Sequence, residues 1–282
     1  MVGWFELSLL STFLFGIQNF LYKVSAAKKQ NSFIVTLALT ITVAVASIIF
    51  FFVTRGKIVE LNFLLLVSFL CAVFTVINSI TKIEGLKFIP TSVFYPVIKA
   101  SILLTLIASI FIFGEVLKLR QWIGIVFIII VVILLSTQDK LEKIKNLKIG
   151  LFFAFGCVLA NTAYNIVSKF AVAKVNYNNF LGMMYIFSVF LSLTSVKIFE
   201  KQKKMNTKSS LITGFIIGLF IFGGFLFGLK ALTGGPLGLI TVINSLSLVI
   251  PIMLGAIIYK EKLTLKRLLA VLLAIVAVII LK

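Results

Sequence analysis

Residues 90–135, PTSVFYPVIKASILLTLIASIFIFGEVLKLRQWIGIVFIIIVVILL, and residues 236–281, PLGLITVINSLSLVIPIMLGAIIYKEKLTLKRLLAVLLAIVAVIIL, are two versions of one pattern. At a fixed offset of 146, Pro90 aligns with Pro236, Leu86 with Leu232 and Glu115 with Glu261. Leu117, Leu119, Val132, Ile133 and Leu135 align in the same way with Leu263, Leu265, Val278, Ile279 and Leu281. The offset also pairs Asn19 with Asn165, Lys23 with Lys169 and Ala27 with Ala173, so the register runs without a gap from near one end to the other. A run of about 20 mainly apolar residues spans a bilayer. Ten such runs are present, roughly 3–26, 33–53, 62–82, 89–113, 119–136, 148–172, 178–199, 210–230, 236–258 and 265–281. Five fall in each copy, and an odd number forces the copies into opposite orientations, as in secondary transporters. The expected fold is an all-α polytopic membrane protein whose ten transmembrane helices form two inverted five-helix repeats. Residues 1–136 make the first repeat, 137–146 the linker and 147–282 the second repeat.

Composition agrees. The chain is 61% apolar with a mean hydropathy of +1.20, against about 45–50% apolar in a soluble domain. A formal charge of +19 raises the question of nucleic acid. Here, though, Lys and Arg sit in short clusters between apolar runs, as loop anchors do, so no nucleic-acid partner is expected. With no histidine and only eight acidic residues, the spans offer neither a nucleophile–base pair nor a metal set, and a membrane enzyme is not expected. Cys71 and Cys157 are not repeat mates and read as small packing residues, with no metal spacing or disulfide framework. There is no phosphate-binding loop pattern, so no nucleotide or other cofactor is implied, and energy comes from a gradient or from the substrate. The opening MVGWFELSLL lacks a basic region and a cleavage site, and reads as a retained first helix.

The helix followed by a GE-x-L motif and an aliphatic helix stands once as FIFGEVLKLRQWIGIVFIIIVVILL and again as AIIYKEKLTLKRLLAVLLAIVAVIIL. With NFLYKVSAA and NIVSKFAVA closing the first and sixth spans, the chain resembles the drug/metabolite transporter superfamily in its ten-helix EamA-type branch. The resemblance covers essentially the whole chain, with one departure, Lys260 where the first copy has Gly114. It implies a pseudo-twofold bundle, a central cavity lined by spans one, three, four, six, eight and nine, and alternating access.

Lys99 is the sharpest single residue. It lies deep in the fourth span, beyond easy reach of either interface, and a charge near the bilayer centre costs at least about 2.5–3.5 kcal/mol. It therefore calls for a wet cavity or a partner; its repeat mate is Ser245. Polar residues recur at helical spacing around it: Ser11, Gln18, Asn19 and Tyr22 in span one, Thr75, Asn78 and Ser79 in span three, Ser92 and Tyr95 in span four. Asn161, Tyr164, Asn165 and Ser168 do so in span six, and Thr241, Asn244 and Ser245 in span nine. Amides facing lipid would be unsatisfied, so these stripes point inward, as cavity lining or as interhelical glue. The expected substrate site is Lys99, Tyr95, Asn19, Asn78, Tyr164, Asn165, Asn244 and Ser245, with Glu6 the candidate for proton coupling or, beside Trp4, an interfacial residue. Glu115 and Glu261 read as caps of the helix that follows each. The glycines of span eight read as a packing face or as a hinge.

The expected function is movement of a small polar metabolite, an amino acid or related carboxylate-bearing compound, by alternating access and in the direction of export. Multidrug or cation export and flipping of a lipid-linked substrate are the alternatives. The partners are then a small-molecule substrate, the lipid bilayer and a coupling proton or ion; a bacterial plasma (inner) membrane suits the chain. Loop charge and family resemblance oppose one another on orientation. Eight basic residues lie on the side of the termini and eighteen on the other, which by the positive-inside rule puts the termini outside, whereas the resemblance implies cytoplasmic termini.

Overall fold

A computed structural model describes residues 3–54, 58, 60–136, 146–199, 207–259 and 265–281. The five-helix halves are α1 (Trp4–Ala27), α2 (Ser32–Val53), α3 (Leu61–Phe88), the pair α4 (Thr91–Ile98) and α5 (Ser101–Phe113), and α6 (Leu119–Ser136), followed by α7 (Leu147–Lys174), α8 (Tyr177–Phe199), α9 (Thr207–Gly234), the pair α10 (Leu237–Ser245) and α11 (Val249–Tyr259), and α12 (Leu265–Leu281). Each pair is one span broken in its middle, so twelve helical pieces make ten spans. Most of the linker 137–146, Glu261 and Lys260 lie outside the described residues.

Among the described residues six helices are long and apolar enough to cross a membrane by length and composition, including α2, α3 and the α4–α5 span. The protein is inside out relative to a soluble one. Large apolar side chains such as Phe52, Phe111 and Phe152 are exposed, while Ser11, Thr40, Ser68, Thr105, Ser109, Ser168 and Ser192 are buried. In hydrocarbon a polar group is costly unless it finds a partner inside the bundle. Ser11 Oγ donates to the Gly224 carbonyl at 2.8 Å, joining α1 to α9, and Thr40 and Ser192 share a 2.9 Å hydrogen bond between α2 and α8.

Neighbours in the bundle are seldom neighbours in the chain. Going round the ring, α7 packs on α3, α3 on α8, α8 on α2, α2 on α9 and α9 on α1; α1 then meets α10 and α11, α10 meets α5, and α5 returns to α7. Helices of the first and second repeats therefore alternate. Outside the ring, α6 and α12 pack on each other, with Leu281 seated over Gly124, where an added Cβ would lie 2.6 Å from it.

Glycine makes the closest approaches. A Cβ at Gly214 would lie 2.6 Å from Ala38 Cβ, one at Gly218 2.6 Å from Thr42 Cβ, and one at Gly228 2.9 Å from Ser11 Oγ. Lipid gives helices no hydrophobic drive to associate, so bare backbone that lets them touch is what joins them. The glycines of α9 form a packing face turned toward α2 and α1.

Candidate functional site

Both broken spans loosen at the same register. Pro96 sits inside α4 and supplies no backbone donor. Beyond it the chain tightens into short turns, with Ala100 N–H donating to the Val97 carbonyl at 3.0 Å and Ile102 N–H to that of Lys99 at 2.9 Å. In the second repeat a 3-10 turn, Leu246–Leu248, separates α10 from α11. These breaks bring Lys99 on one side and Ser247 on the other to the middle of the ring.

There a cavity of about 150 Å³ opens, lined by residues of α1, α3, α4–α5, α7, α9 and α10 with its 3-10 turn, and by Tyr185 of α8. The spans that the family resemblance implies all contribute; Tyr185 adds a seventh. Of the expected site residues, Lys99, Asn19, Asn78, Tyr164, Asn165 and Asn244 line this space. Lys99 Nζ donates to Ser247 Oγ at 3.4 Å and to the Asn244 carbonyl at 3.5 Å. Both distances exceed the 2.7–3.2 Å of good N–H···O bonds, so the ammonium is weakly held. Asn19 Nδ2 donates to Ser247 Oγ at 3.3 Å, and Thr12 Oγ1 to Asn244 Oδ1 at 2.9 Å. On the other side Asn161 Nδ2 donates to Ser101 Oγ at 3.0 Å and Asn165 Nδ2 to Thr105 Oγ1 at 3.5 Å. The first helix of each repeat thus holds the broken span of the other.

Three expected residues are placed elsewhere. Tyr95 points to α1, its hydroxyl donating to the Asn19 carbonyl at 2.6 Å, so it fixes a wall of the cavity without lining it. Ser245 bonds back to the Val242 carbonyl at 2.6 Å, as short hydroxyls in helices do, and the turn that follows carries Ser247 inward instead. Glu6 is exposed in the first turn of α1, outside the cavity. Glu115 does not cap the helix that follows it. Its carboxylate crosses to the other repeat and accepts from Leu237 N–H at 2.5 Å and Gly238 N–H at 2.9 Å, the positive end of α10. The chain reverses at Gly114, whose φ of +63° is left-handed, and this turn aims Glu115 across the bundle. Beside it Lys169 Nζ donates to the carbonyls of Gly235 at 2.6 Å and Leu232 at 3.2 Å, closing the end of α9.

Sequence reasoning missed Lys82, the last residue of the third apolar run. α3 continues to Phe88, so Lys82 stays on the helix, one turn beyond Asn78 and on its face, and lines the cavity. Its Nζ lies 5.2 Å from the centre of the Tyr22 ring, within cation–π range. Spacing of three and four from Ser79 and Asn78 was the available signal. Cys157 also faces the cavity, its thiol 3.0 Å from Thr81 Oγ1. The hydroxyls of Tyr164 and Tyr185 are buried there without a hydrogen-bond partner among the described residues. No carboxylate is among the lining residues. The nearest acid along α3, Glu84, accepts instead from Lys87 at 2.7 Å and from the Ser32 hydroxyl.

A solved crystal structure, described only as that of a protein, superposes with a TM-score of 0.69 at 18% identity, covering 96% of each chain, and so shares the fold. No curated protein matches the sequence. The sequence pattern of the EamA-like transporter family matches twice, over residues 4–137 and 148–282, once for each repeat. Matched across nearly its whole length, this multi-pass membrane protein belongs to the EamA-like transporter family.

Proposed function

We propose that this transporter moves a small carboxylate-bearing metabolite, an amino acid or close relative, out of the cell by alternating access, with Lys99 holding the carboxylate. The observation that carries the reading is a weakly held ammonium in a cavity whose polar lining, among the described residues, is amides, hydroxyls and a second lysine, with no acid. Asn19, Asn244 and Ser247 surround Lys99 with groups that both donate and accept, suiting a zwitterion or a hydroxy acid. Export of cations would want an anionic cavity, and this one is cationic. A space of about 150 Å³ suits a compact metabolite better than a lipid-linked one. A bacterial plasma membrane fits as the location. Glu6, exposed at the end of α1, is the candidate for proton coupling only where a pathway joins it to the cavity.

The test is efflux of labelled amino and organic acids from proteoliposomes holding the purified protein, beside its Lys99→Ala variant. Carboxylates that cross with the natural sequence and not with the folded variant support the assignment. Normal transport by a folded Lys99→Ala protein sinks it.

A further inference from the structure

Among the described residues the cavity is lined by two lysines and by no acid, and that pairing bears on the charge the substrate carries. Resting on the reading that Lys99 binds an anion, we propose that the substrate carries two negative charges close together, as a dicarboxylate or a phosphate monoester does, and is held between Lys82 and Lys99.

The hairpin formed by α3 and α4 sets their depth. Lys82 stands six residues before the end of α3 and Lys99 eight residues after the start of α4. At about 1.5 Å per residue both lie roughly 9–12 Å below the same membrane face. They therefore stand at nearly one level and line one cavity, on helices that α7 bridges. Neither has a carboxylate partner among the described residues. Lys99 makes two long bonds to neutral acceptors, and Lys82 rests over the Tyr22 ring.

Two like charges in a low-dielectric space repel, and each alone is costly there. Glu84 is paired with Lys87 and Ser32, and among the described residues no such acid stands beside Lys82 or Lys99. A dianion removes both penalties at once, and a monoanion leaves one charge unmet. The unpartnered hydroxyls of Tyr164, nearly buried, and Tyr185, fully buried, line the same space and can donate to its oxygens. Together they give a pocket rich in donors, which is what carboxylate pairs and phosphates require.

Thermal stabilisation of the purified full chain by succinate, glycerol 3-phosphate and lactate reads the charge preference directly. At least one dianion should act at a concentration about tenfold or more below lactate, as a second charge-assisted contact implies. Succinate alone would identify dicarboxylates, glycerol 3-phosphate alone phosphate esters, and either result supports the proposal. Lys82→Gln should erase the preference, so that the dianions act no better than lactate, whereas Lys99→Gln should abolish every response. Lactate equal to or better than both dianions, with Lys99→Gln still inactive, overturns the dianion and leaves the carboxylate reading standing. No response to any anion, unchanged in Lys99→Gln, fails that earlier reading itself. If Lys82→Gln does not purify as a single folded species, the natural sequence's ranking decides, and Lys82→Arg should retain it.

Discussion

In the first half the chain breaks its fourth span at Lys99 and Ala100, three residues after Pro96; in the second half it breaks at Leu246–Leu248, just ahead of Pro251. The breaks are repeat mates, but the prolines are not, since the offset carries Pro96 to Val242 and Pro251 back to Thr105. One shape is thus reached from opposite sides: a proline before the bend in one copy, and in the other a proline after it that leaves the Ser247 carbonyl without its helical donor. Chemistry has diverged further than shape. Lys99 and Lys82 belong to the first repeat, and their mates are Ser245 and Gly228. The second repeat supplies amides, Asn161, Asn165 and Asn244, along with Ser247. Symmetry built the cavity, and asymmetry gave it a charged wall.

Exchanging the residues of the two bends is the sharpest way to break this comparison. Lys99→Ala should lower transport at least about a hundredfold, some 2.7 kcal/mol of lost binding, with a normal elution profile. The double variant Lys99→Ser with Ser245→Lys should stay inactive, because Ser245 faces its own helix and not the cavity. Restored transport would mean the two bends are interchangeable.

A smaller effect tests the packing behind each bend. Gly218 is the mate of Ala72, which is wholly buried in α3, so the first half accepts a Cβ at this register. In the second half that Cβ meets Thr42 at 2.6 Å and the Leu39 carbonyl at 2.9 Å. Gly218→Ala should therefore destabilise by about 1–3 kcal/mol, read as a lower thermal midpoint in detergent. An unchanged midpoint would show that α2 can retreat from α9.

Glu115 comes next. Glu115→Gln keeps one acceptor for the two N–H groups of α10 but loses the charge, and should cost about 1–2 kcal/mol in the same assay. Its mate Glu261 lies outside the described residues, so an equal loss from Glu261→Gln would establish that the crossing cap occurs twice. Ser247→Ala is the mildest test. It removes one acceptor from Lys99 and one from Asn19, and should weaken substrate binding by about 0.5–1.5 kcal/mol, roughly two- to tenfold.

Much of this was legible in the chain. The offset of 146, with five apolar runs on each side, decides the fold before any coordinate is known, because an odd set must invert. Lys99 was legible because no lysine stays deep in a span without a wet face. Lys82 was hidden by hydropathy, since the third apolar run ends on it, yet α3 runs on to Phe88. Tyr95 and Ser245 were placed by helical period, and period fails where a helix stops. Both precede their bends, where the backbone turns from four-residue to three-residue bonds, so it is Lys99 and Ser247, at or past the bends, that reach the cavity. Glu115 could not be aimed from sequence at all, because its target lies more than a hundred residues away, across a contact that only the ring order creates.

That ring order also governs how the protein is made. Synthesis delivers α1 to α6 first, yet α1 packs on α9 and α3 on α7 and α8. When the first repeat is inserted, its polar stripes and its two cavity lysines have no opposing wall, and they keep that exposure until the second repeat arrives. The nascent half is an open question to the insertion machinery, which must shelter two charges that the finished protein encloses by itself. Produced alone, residues 1–136 should insert and then be degraded, and supplying residues 147–282 as a separate chain should rescue them, because every contact the first half lacks is one that the second half brings.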